Sequence, residues 1–282
     1  MHTEKGCLFV VATPIGNLED ISLRALNTLK SVDLIVAEDT RHSKKLLAHF
    51  NINTPLSAYH DYSKPAVTEK IIRRLTEGNN IALISDAGTP LISDPGYRLV
   101  SIAHEQGVRV RPLPGPCALI CALCVAGLPS DRFLFTGYLP AKPCARKKEI
   151  EQMAESTYTW IFYETPHRIV HSLADLVHTM GPARKITIAR ELTKHFETVL
   201  SGTAEEIYSR VSETPEQQKG EFVVLVAGKE KEKPAVTLQA EQMMKTLMSE
   251  LSLKQASSVA AKLTGIQKRE LYNLGLKLNL QS

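Results

Sequence analysis

The sequence predicts an α/β fold: two α/β domains that face each other across a cleft, followed by a small C-terminal helical domain. Three observations support this prediction. Apolar strand-like runs alternate with amphipathic helical stretches in the first 116 residues, the pattern becomes more mixed after residue 130, and a charged linker precedes a basic tail. At 282 residues the chain is also too long for one typical domain.

The first predicted domain covers residues 1–116 and alternates strands with helices. Short, nearly continuous apolar strands between amphipathic helices are typical of a parallel sheet that is covered on both faces. We predict strands at 8–12, 34–37, 81–84 and 108–112, and helices at 22–29, 43–50, 65–77 and 97–105.

Residues 117–130 are predicted to form a connecting helix and linker that line the cleft, and 131–228 a second α/β domain with a more mixed sheet. The connecting helix is rich in Ala, Leu and Cys and ends at Gly127-Leu128-Pro129. In the second domain we predict strands at 133–138, 158–163, 185–189, 198–200 and 221–226, and helices at 146–154, 168–179 and 204–211.

The tail, residues 234–282, is predicted to be a basic helical appendage that binds RNA. Helices at 238–249, 253–262 and 268–277, with a turn at Thr264-Gly265, give the outline of a helix-turn-helix. Residues 229–282 carry the whole net charge of +4, and a basic segment on a neutral body favours a polyanionic partner. The alternative is a helical cap with a solvated basic face.

Composition excludes several other classes of protein. No apolar run reaches the roughly 18 residues that span a bilayer, so we expect no membrane contact. The chain begins with a strand rather than a signal peptide, and its five cysteines are an odd number. Both features favour reduced thiols and a cytoplasmic protein. Cys117, Cys121 and Cys124 share a helix of small apolar residues, so we expect packing there and no metal site.

Four loops follow strands of the first domain and should meet at one edge of its sheet, where open α/β sheets bind ligands. The most informative is Ser85-Asp86-Ala87-Gly88-Thr89-Pro90, because its small residues let a ligand approach the backbone closely. None of the loops has the G-x-G-x-x-G pattern of dinucleotide sites or the Gly-Lys-Ser/Thr of phosphate-binding loops. The loop of residues 85–90, which follows the predicted strand 81–84, is the third of the four. Beyond the third loop, Ser93 and Asp94 are predicted to cap the helix that starts near Gly96.

Taken together, the loops resemble those of the tetrapyrrole methylase superfamily. The resemblance covers residues 7–228, and each motif is weak alone, whereas eight of them in order are specific. The matching stretches are Ala12-Thr13-Pro14-Ile15-Gly16-Asn17-Leu18, Ala37-Glu38-Asp39-Thr40-Arg41, Ser85-Asp86-Ala87-Gly88-Thr89-Pro90 with Ile92-Ser93-Asp94-Pro95-Gly96, Pro114-Gly115-Pro116, Gly137-Tyr138-Leu139-Pro140, Tyr163-Glu164-Thr165-Pro166-His167-Arg168, Ala189-Arg190-Glu191-Leu192-Thr193-Lys194 and Lys219-Gly220-Glu221-Phe222.

This resemblance implies a cofactor cleft that holds S-adenosylmethionine between the two α/β domains of a homodimer. Within the superfamily the motifs are similar to those of members that methylate small-subunit ribosomal RNA. The implied reaction is methyl transfer to the ribose 2′-hydroxyl of a decoding-centre cytidine in 16S ribosomal RNA, within the assembled subunit. The first loop lacks the G-x-G-P-G of porphyrinoid members. A tetrapyrrole methylase and a non-catalytic RNA-binding assembly factor remain the alternatives.

The resemblance and the positions of the loops suggest which residues hold each ligand. The expected cofactor contacts are Pro14, Asp86, Ala87, Gly88, Thr89, Pro90, Leu91, Cys117, Ala118, Leu139 and Tyr163. The expected RNA contacts are Arg41, Lys44, Lys45, Lys262, Lys268 and Arg269.

A ribose hydroxyl is a weak acid, so a base should take its proton as the new bond forms. The candidate catalytic residues are Asp39, Glu191 and Lys194, with Glu38 and Glu164 as further carboxylates. Lys194 would need a lowered pKa, for which burial beside Arg190 is one cause. For Glu164, the alternative is a structural ion pair with Arg168.

Overall fold

The computed structural model describes residues 4–60, 63–230 and 238–279, and the chain divides into two compact units, Met1–Lys229 and Glu230–Ser282. The first unit contains two five-stranded sheets with flanking helices, and the second unit is helical. The predicted fold class is therefore confirmed. Most of the charged linker, the first residues of the predicted appendage (234–237) and the last three residues of the chain lie outside the described residues.

The first sheet is fully parallel and has the strand order β3-β2-β4-β1-β5. Its strands are β1 (Cys7–Val11), β2 (Leu34–Ala37), β3 (Leu56–Ala58), β4 (Ile81–Ile84) and β5 (Arg109–Leu113). The central strands β2 and β4 are buried along their whole length. Because every strand points the same way, the loops after β1, β2, β4 and β5 leave the sheet at the same edge.

Helices cover both faces of this sheet: α1 (Leu23–Ser31), α2 (Thr40–His49), α3 (Pro65–Thr76) and α4 (Tyr97–Glu105). Two apolar clusters result, one on each face. The first contains Tyr59, Leu75 and Leu99, and the second contains Leu29, Leu47 and Ile84. The alternating side chains of the central strands contribute to both clusters, which explains why β2 and β4 read as unbroken apolar runs.

The two edge strands differ from the sequence-based prediction. The three-residue strand β3 was not predicted, because Leu56-Ser57-Ala58 is too short and too polar to show a strand pattern. Strand β5 was predicted as an apolar run, but Arg109, Arg111 and Pro112 are exposed, as suits a strand with a neighbour on one side only.

The second sheet follows helix α5 (Ala118–Val125) and has the order β6-β7-β10-β8-β9. Only β6 and β7 are parallel, and the other neighbours are antiparallel, so the expected mixed sheet is present. Its strands are β6 (Phe133–Tyr138), β7 (Thr159–Glu164), β8 (Lys185–Arg190), β9 (Thr198–Thr203) and β10 (Phe222–Val226). Its helices are α6 (Pro143–Ala154), α7 (Ile169–Met180) and α8 (Ala204–Glu213).

The two faces of the second sheet pack against different partners. Helices α6 to α8 cover one face around Trp160, Phe162 and Val224. On the other face, Leu119 and Ala122 of α5 pack against Ile161 and Leu225. The second face also borders the space toward the first sheet, because Ile92 from the loop after β4 packs against this cluster.

The predicted cap of helix α4 is wrong. The residue at the N-cap is Gly96, with φ +133°, and no side chain caps the helix. A Cβ at Gly96 would lie 2.7 Å from Leu83 Cδ2, so the close approach of this turn to β4 requires glycine. The carboxylate of Asp94 is thereby available for another role.

The second unit consists of α9 (Leu238–Glu250), α10 (Leu253–Thr264) and α11 (Lys268–Asn279) around an apolar core that includes Met244, Ala260 and Leu271. Gly265 adopts a left-handed conformation, φ +72°, and ends α10 before α11 begins. Among the described residues, no helix is long and apolar enough to cross a bilayer.

Candidate active site

The four loops at the carboxyl edge of the first sheet are joined by hydrogen bonds through the third loop. Thr13 of the first loop pairs with Gly88 in both directions, N to O at 2.8 and 3.0 Å. The Asp39 amide of the second loop donates to Asp86 Oδ1 at 3.1 Å. Thr89 Oγ1 donates to the Pro116 carbonyl of the fourth loop at 2.9 Å. The third loop is therefore the element that positions the other three.

Gly88 is the residue on which this arrangement depends most. Its φ is +93°, a conformation that side chains rarely adopt, and a Cβ there would lie 3.3 Å from Ile15 Cγ2. Its carbonyl also accepts the Ser85 hydroxyl at 2.9 Å. Because Thr13 uses both backbone groups of Gly88, this glycine joins two loops, and its backbone is not available for a ligand as the sequence had suggested.

A cavity of about 300 Å³ lies beside the third loop. Its walls come from both sheets: the loops after β1, β2 and β4 on one side, and β6, β7, β8 and β10 on the other. The start of α5 closes one end. The lining residues include Ile15, Glu38, Asp86, Ala87, Gly88, Thr89, Ile92, Ser93, Asp94, Cys117, Ala118, Tyr138, Tyr163, Ala189, Leu192, Lys194, Glu221 and Val223.

The structure brings seven of the eleven expected cofactor residues to this cavity: Asp86, Ala87, Gly88, Thr89, Cys117, Ala118 and Tyr163. The other four do not line it. Pro90 is buried, Leu91 packs with the first-sheet core, and Leu139 lies in the second-sheet core with its carbonyl bound by Arg168. Pro14 lines a neighbouring cavity instead.

Several lining residues were not predicted. Ala189, Leu192 and Val223 come from β8, the following turn and β10, and their apolar side chains carried no functional signal in the sequence. They face the cavity because β10 pairs with both β7 and β8, and that pairing was not predictable from local pattern. Ser93 and Asp94 were misassigned as a helix cap.

Of the candidate bases, Asp39 is turned away from the cavity. It is the N-cap of α2, and its carboxylate binds the Arg41 backbone and guanidinium at 2.8 Å. Hydrogen bonds from Arg41 hold the pKa of Asp39 well below its usual value. A carboxylate that is this weakly basic and does not line the cavity is a poor proton acceptor for a ligand there.

Glu191 and Lys194 form an ion-pair cluster with Glu221. Lys194 Nζ lies 2.9 Å from Glu191 Oε1 and 2.8 Å from Glu221 Oε2. Partial burial works to lower the pKa of Lys194, but the hydrogen bonds that its ammonium donates to Glu221 and Glu191 outweigh this effect and the pKa is raised. This direction is opposite to the one that a neutral lysine base requires, so the expected effect of burial beside Arg190 is overturned.

Glu191 is committed to structure in the same cluster. Burial works to raise its pKa, but hydrogen bonds from Lys194 and the Glu221 amide outweigh that effect and the pKa is lowered. Its Oε1 accepts that amide at 2.9 Å, and Glu191 does not line the cavity. Lys194 does line the cavity, and it packs so closely on the first loop that a Cβ at Gly16 would lie 2.4 Å from Lys194 Cγ.

Glu164 forms the structural ion pair with Arg168 that was the alternative to a role as a base. Its carboxylate is fully buried and pairs with Arg168 at 2.8 Å. It also accepts the Thr165 amide and the Ser172 hydroxyl, at 2.8 and 2.6 Å. Because these three donors satisfy the buried charge, Glu164 holds the turn between β7 and α7.

Asp94 is a carboxylate at the cavity whose pKa is raised. Burial raises its pKa to about 6, a hydrogen bond with Ser85 offsets this in part, and the charges of Glu38 and Asp86 raise it further. It follows Leu91 and Ser93, which have φ of +74° and +61°. Left-handed backbone at two non-glycine residues is strained by about 1–3 kcal/mol each, and strain of this kind is common in loops that present functional groups.

A second cavity, of about 450 Å³, adjoins the first. Both are lined by Ile15, Asp86, Ala87, Lys194 and Glu221. The second is bordered by α2, which contributes His42, Lys45 and His49. Of the expected RNA contacts, Lys45 therefore lies at this cavity, whereas Arg41 and Lys44 are exposed elsewhere on α2 and Lys262, Lys268 and Arg269 are exposed on the helical unit.

Comparison with known proteins identifies the class. A family model described as Tetrapyrrole (Corrin/Porphyrin) Methylases matches residues 7–208, and one described as RsmI C-terminal HTH domain matches residues 234–279. The chain belongs to the tetrapyrrole methylase family. Its membership confirms the predicted enzyme class, a methyltransferase that uses S-adenosylmethionine.

Among its relatives, the chain is 50% identical to "Ribosomal RNA small subunit methyltransferase I" of Pseudomonas aeruginosa, over 96% of this chain and 97% of that one. It is 49% identical to the protein of the same name from Haemophilus influenzae, over 96% of both. The solved structure of the methyltransferase CobJ has the same fold, with a TM-score of 0.58 at 20% identity over 79% of this chain and 95% of that one.

The lining residues fit S-adenosylmethionine. The small side chains of Ala87, Gly88 and Ala118 leave room for a ligand against the loop backbone. Apolar residues on the opposite wall suit an adenosine ring, and carboxylates suit a sulfonium and an ammonium group. Asp86, Ala87, Thr89, Cys117, Ala118 and Tyr163 are the predicted residues that would contact it, and Gly88 would leave room for it.

Gly88→Val is expected to abolish binding of S-adenosylmethionine, because the side chain would be strained at φ +93° and would meet Ile15. Calorimetry on the purified variant, with circular dichroism to show that it is folded, measures this. Gly127→Val is the matched control, since Gly127 also has positive φ but a Cβ there would have no other atom within 4 Å. Unchanged affinity in folded Gly88→Val would show that the third loop does not shape the cofactor site.

Proposed function

We propose that the protein transfers a methyl group from S-adenosylmethionine to the ribose 2′-hydroxyl of a cytidine in 16S ribosomal RNA of the small subunit, in the cytoplasm. The relatives named for small-subunit ribosomal RNA methylation match almost the full length of this chain. The tail matches the helix-turn-helix domain of the same class. The cytidine and its 2′-hydroxyl are the specific part of the proposal.

The observation that carries this proposal is the pair of adjoining cavities. The cavity beside the third loop would hold the cofactor, and the one bordered by α2 would receive the target nucleotide. Both cavities are lined by Asp86, Lys194 and Glu221, so they meet at these residues. Two reactants held in adjoining cavities can approach each other for direct transfer, which lowers the entropic part of the barrier.

S-adenosylmethionine supplies an activated methyl group on a good leaving group, so the protein's own residues have to bind, align and remove a proton. Of the three candidates, Lys194 alone lines both cavities, and its positive charge is held by two glutamates. We assign it the positioning of the nucleotide rather than proton removal. Asp86 is our candidate for the proton acceptor, because it lines both cavities and, among the described residues, its Oδ1 alone accepts a hydrogen bond, from the Asp39 amide.

The basic residues of α2 have the right chemistry to hold the RNA backbone. Lys45, His42 and His49 border the second cavity, and Arg41 and Lys44 extend the basic surface along the same helix. Phosphate contacts of this kind fix the register of a nucleic acid without reading its sequence. A small planar tetrapyrrole needs neither this surface nor a basic helical unit, which argues against that substrate.

The test of the proposal is to incubate the protein with methyl-labelled S-adenosylmethionine and small ribosomal subunits that lack the modification. We expect one labelled nucleotide, a 2′-O-methylcytidine, identified by nuclease digestion and mass spectrometry. The protein without subunits, and subunits without protein, are the controls. Label on a base, on another nucleotide or on no RNA at all would contradict the proposal, and the last result would favour the assembly-factor alternative.

Replacing Lys262, Lys268 and Arg269 together by Ala is expected to weaken RNA binding and leave cofactor affinity unchanged. Each lost phosphate contact should reduce the slope of log K against log salt by about 0.7–0.9. Filter binding at several salt concentrations measures the slope. The matched control is a variant with Lys30→Ala and Lys70→Ala, which are exposed positions on α1 and α3. An RNA affinity and a slope equal to those of the wild type would show that the helical unit does not hold the RNA backbone.

We also propose that the protein is a homodimer and that α5 with β6 forms the contact. Every residue of α5 is apolar or cysteine, a composition typical of helices buried on all sides. Nevertheless Ile120 and Val125 are 45% and 54% exposed, and Phe133 and Leu134 of the edge strand β6 are 41% and 40% exposed. A second copy of the chain is the partner that would cover such a surface.

Sedimentation of the wild type is therefore expected to show a dimer. The variant that carries both Ile120→Glu and Val125→Glu is expected to be a monomer. Both replaced side chains are exposed within the chain, so the fold should survive the change, and circular dichroism checks this. A monomeric wild type at micromolar concentration, or a dimer that persists in the doubly substituted variant, would contradict this interface.

A further inference from the structure

The wall of the cofactor cavity nearest the first sheet is acidic. Three carboxylates line it. Glu38 follows β2, Asp86 follows β4, and Asp94 lies further along the chain after β4. Lys194, the cation among the lining residues, pairs with Glu191 and Glu221, and Arg168 pairs with Glu164. Asp86 and Asp94 make no ion pair with a described residue, so they keep negative charge that a cationic ligand would balance.

Asp94 is the least satisfied of the three in its surroundings. Among the described residues it makes no ion pair, and its neighbour is the Ser85 hydroxyl. That hydroxyl also donates to the Gly88 carbonyl at 2.9 Å, and a hydroxyl has one proton to give. A charged Asp94 thus competes with Gly88 for one donor, at a partly buried position where a charge is costly without a partner.

The loop that carries Asp94 is held in this place by tight packing. Ser93 has φ +61°, and a Cβ at Gly137 of β6 would lie 3.3 Å from Ser93 Oγ. A strained turn thus fits between the two sheets and directs the next residue, Asp94, to the cavity. A strained backbone persists only where the surrounding structure over-determines it.

We propose that Asp94 is the residue by which the cofactor cavity distinguishes the cationic methyl donor from the uncharged product. This inference rests on the proposed assignment of this cavity as the S-adenosylmethionine site. The donor has a sulfonium and an ammonium group against one carboxylate, a net charge of +1. Loss of the methyl group leaves a thioether and a net charge of zero. A carboxylate without an ion-pair partner attracts the first form and not the second, so it favours donor binding and product release.

The acidity of Asp94 makes this discrimination depend on pH. With a pKa of about 6, Asp94 is charged at neutral pH and becomes neutral as the pH falls through 6. If cation binding requires the charged form of Asp94, the affinity falls with the charged fraction of this single group. That fraction falls about tenfold between about pH 7 and pH 5. The ammonium of the ligand, like other α-amino groups, stays protonated over this range.

Other titratable groups surround Asp94 and have to be separated from it. On the same cavity these groups are Glu38, Asp86, Cys117, Tyr138, Tyr163, Glu164, Lys194 and Glu221, and on the neighbouring cavity His42, Lys45 and His49. A variant in which Asp94 alone is changed separates its contribution from that of all these groups.

The experiment is calorimetric titration of the full-length protein with S-adenosylmethionine and with S-adenosylhomocysteine between pH 5 and pH 7. For the wild type we expect the Kd of the donor to rise about tenfold at the lower pH and that of the product to change less than about twofold. For Asp94→Asn we expect donor affinity at pH 7 to fall by about tenfold or more, product affinity to stay, and the pH dependence of donor binding to disappear.

Glu77→Gln, which removes one negative charge from an exposed position outside both cavities, is the matched control and should behave as the wild type. Asp94→Asn should not unfold the protein. A carboxyl with a raised pKa stabilises the fold when protonated, fully below about pH 4, and this contribution is lost as the pH rises through 6. The amide should therefore leave the Tm at pH 7 unchanged or higher.

Parallel pH dependence of both ligands in the wild type would overturn the inference, as would an unchanged ratio of the two affinities in Asp94→Asn. Persistence of the donor's pH dependence in that variant would assign the dependence to other groups and would also overturn the inference. A wild-type protein that binds neither ligand would refute the proposed cofactor use itself, a result distinct from loss of selectivity alone.

Discussion

The structure depends on one constraint: four parallel strands end at the same edge of a sheet, and the loops that follow them are joined through a single loop. Parallel pairing brings the loop ends together. The backbone pairing of Thr13 with Gly88, the Asp39 amide on Asp86 and the Thr89 hydroxyl on Pro116 then fix their relative positions. A ligand held against the third loop is therefore held against all four.

Much of this could be predicted from the sequence, because the information is local. The runs 34–37 and 81–84 are apolar enough to read as buried strands, and the structure has them with the same limits. The small residues of the third loop also marked the cavity correctly. The edge strands were harder to predict, because β3 is too short and polar and the exposed arginines of β5 break the apolar pattern.

The parts of the site that could not be predicted arise from tertiary packing. Ala189, Leu192 and Val223 line the cavity only because β10 lies between β7 and β8. Burial beside Arg190 was the expected cause of a lowered pKa for Lys194, whereas hydrogen bonds to Glu221 and Glu191 raise that pKa. Asp94 shows the same limit, because a Ser-Asp pair just before a helix has the pattern of a cap, and a strained backbone turns it to the cavity instead.

The edges of the first sheet have a consequence for how the protein can associate. An edge strand has unpaired backbone groups and invites pairing with a strand of another molecule. Here one edge is the three-residue β3, and the other, β5, carries exposed Arg109 and Arg111 and a proline that has no amide to donate. Growth of the sheet from one molecule to the next is thus opposed at both ends, which protects the protein from aggregation through these edges.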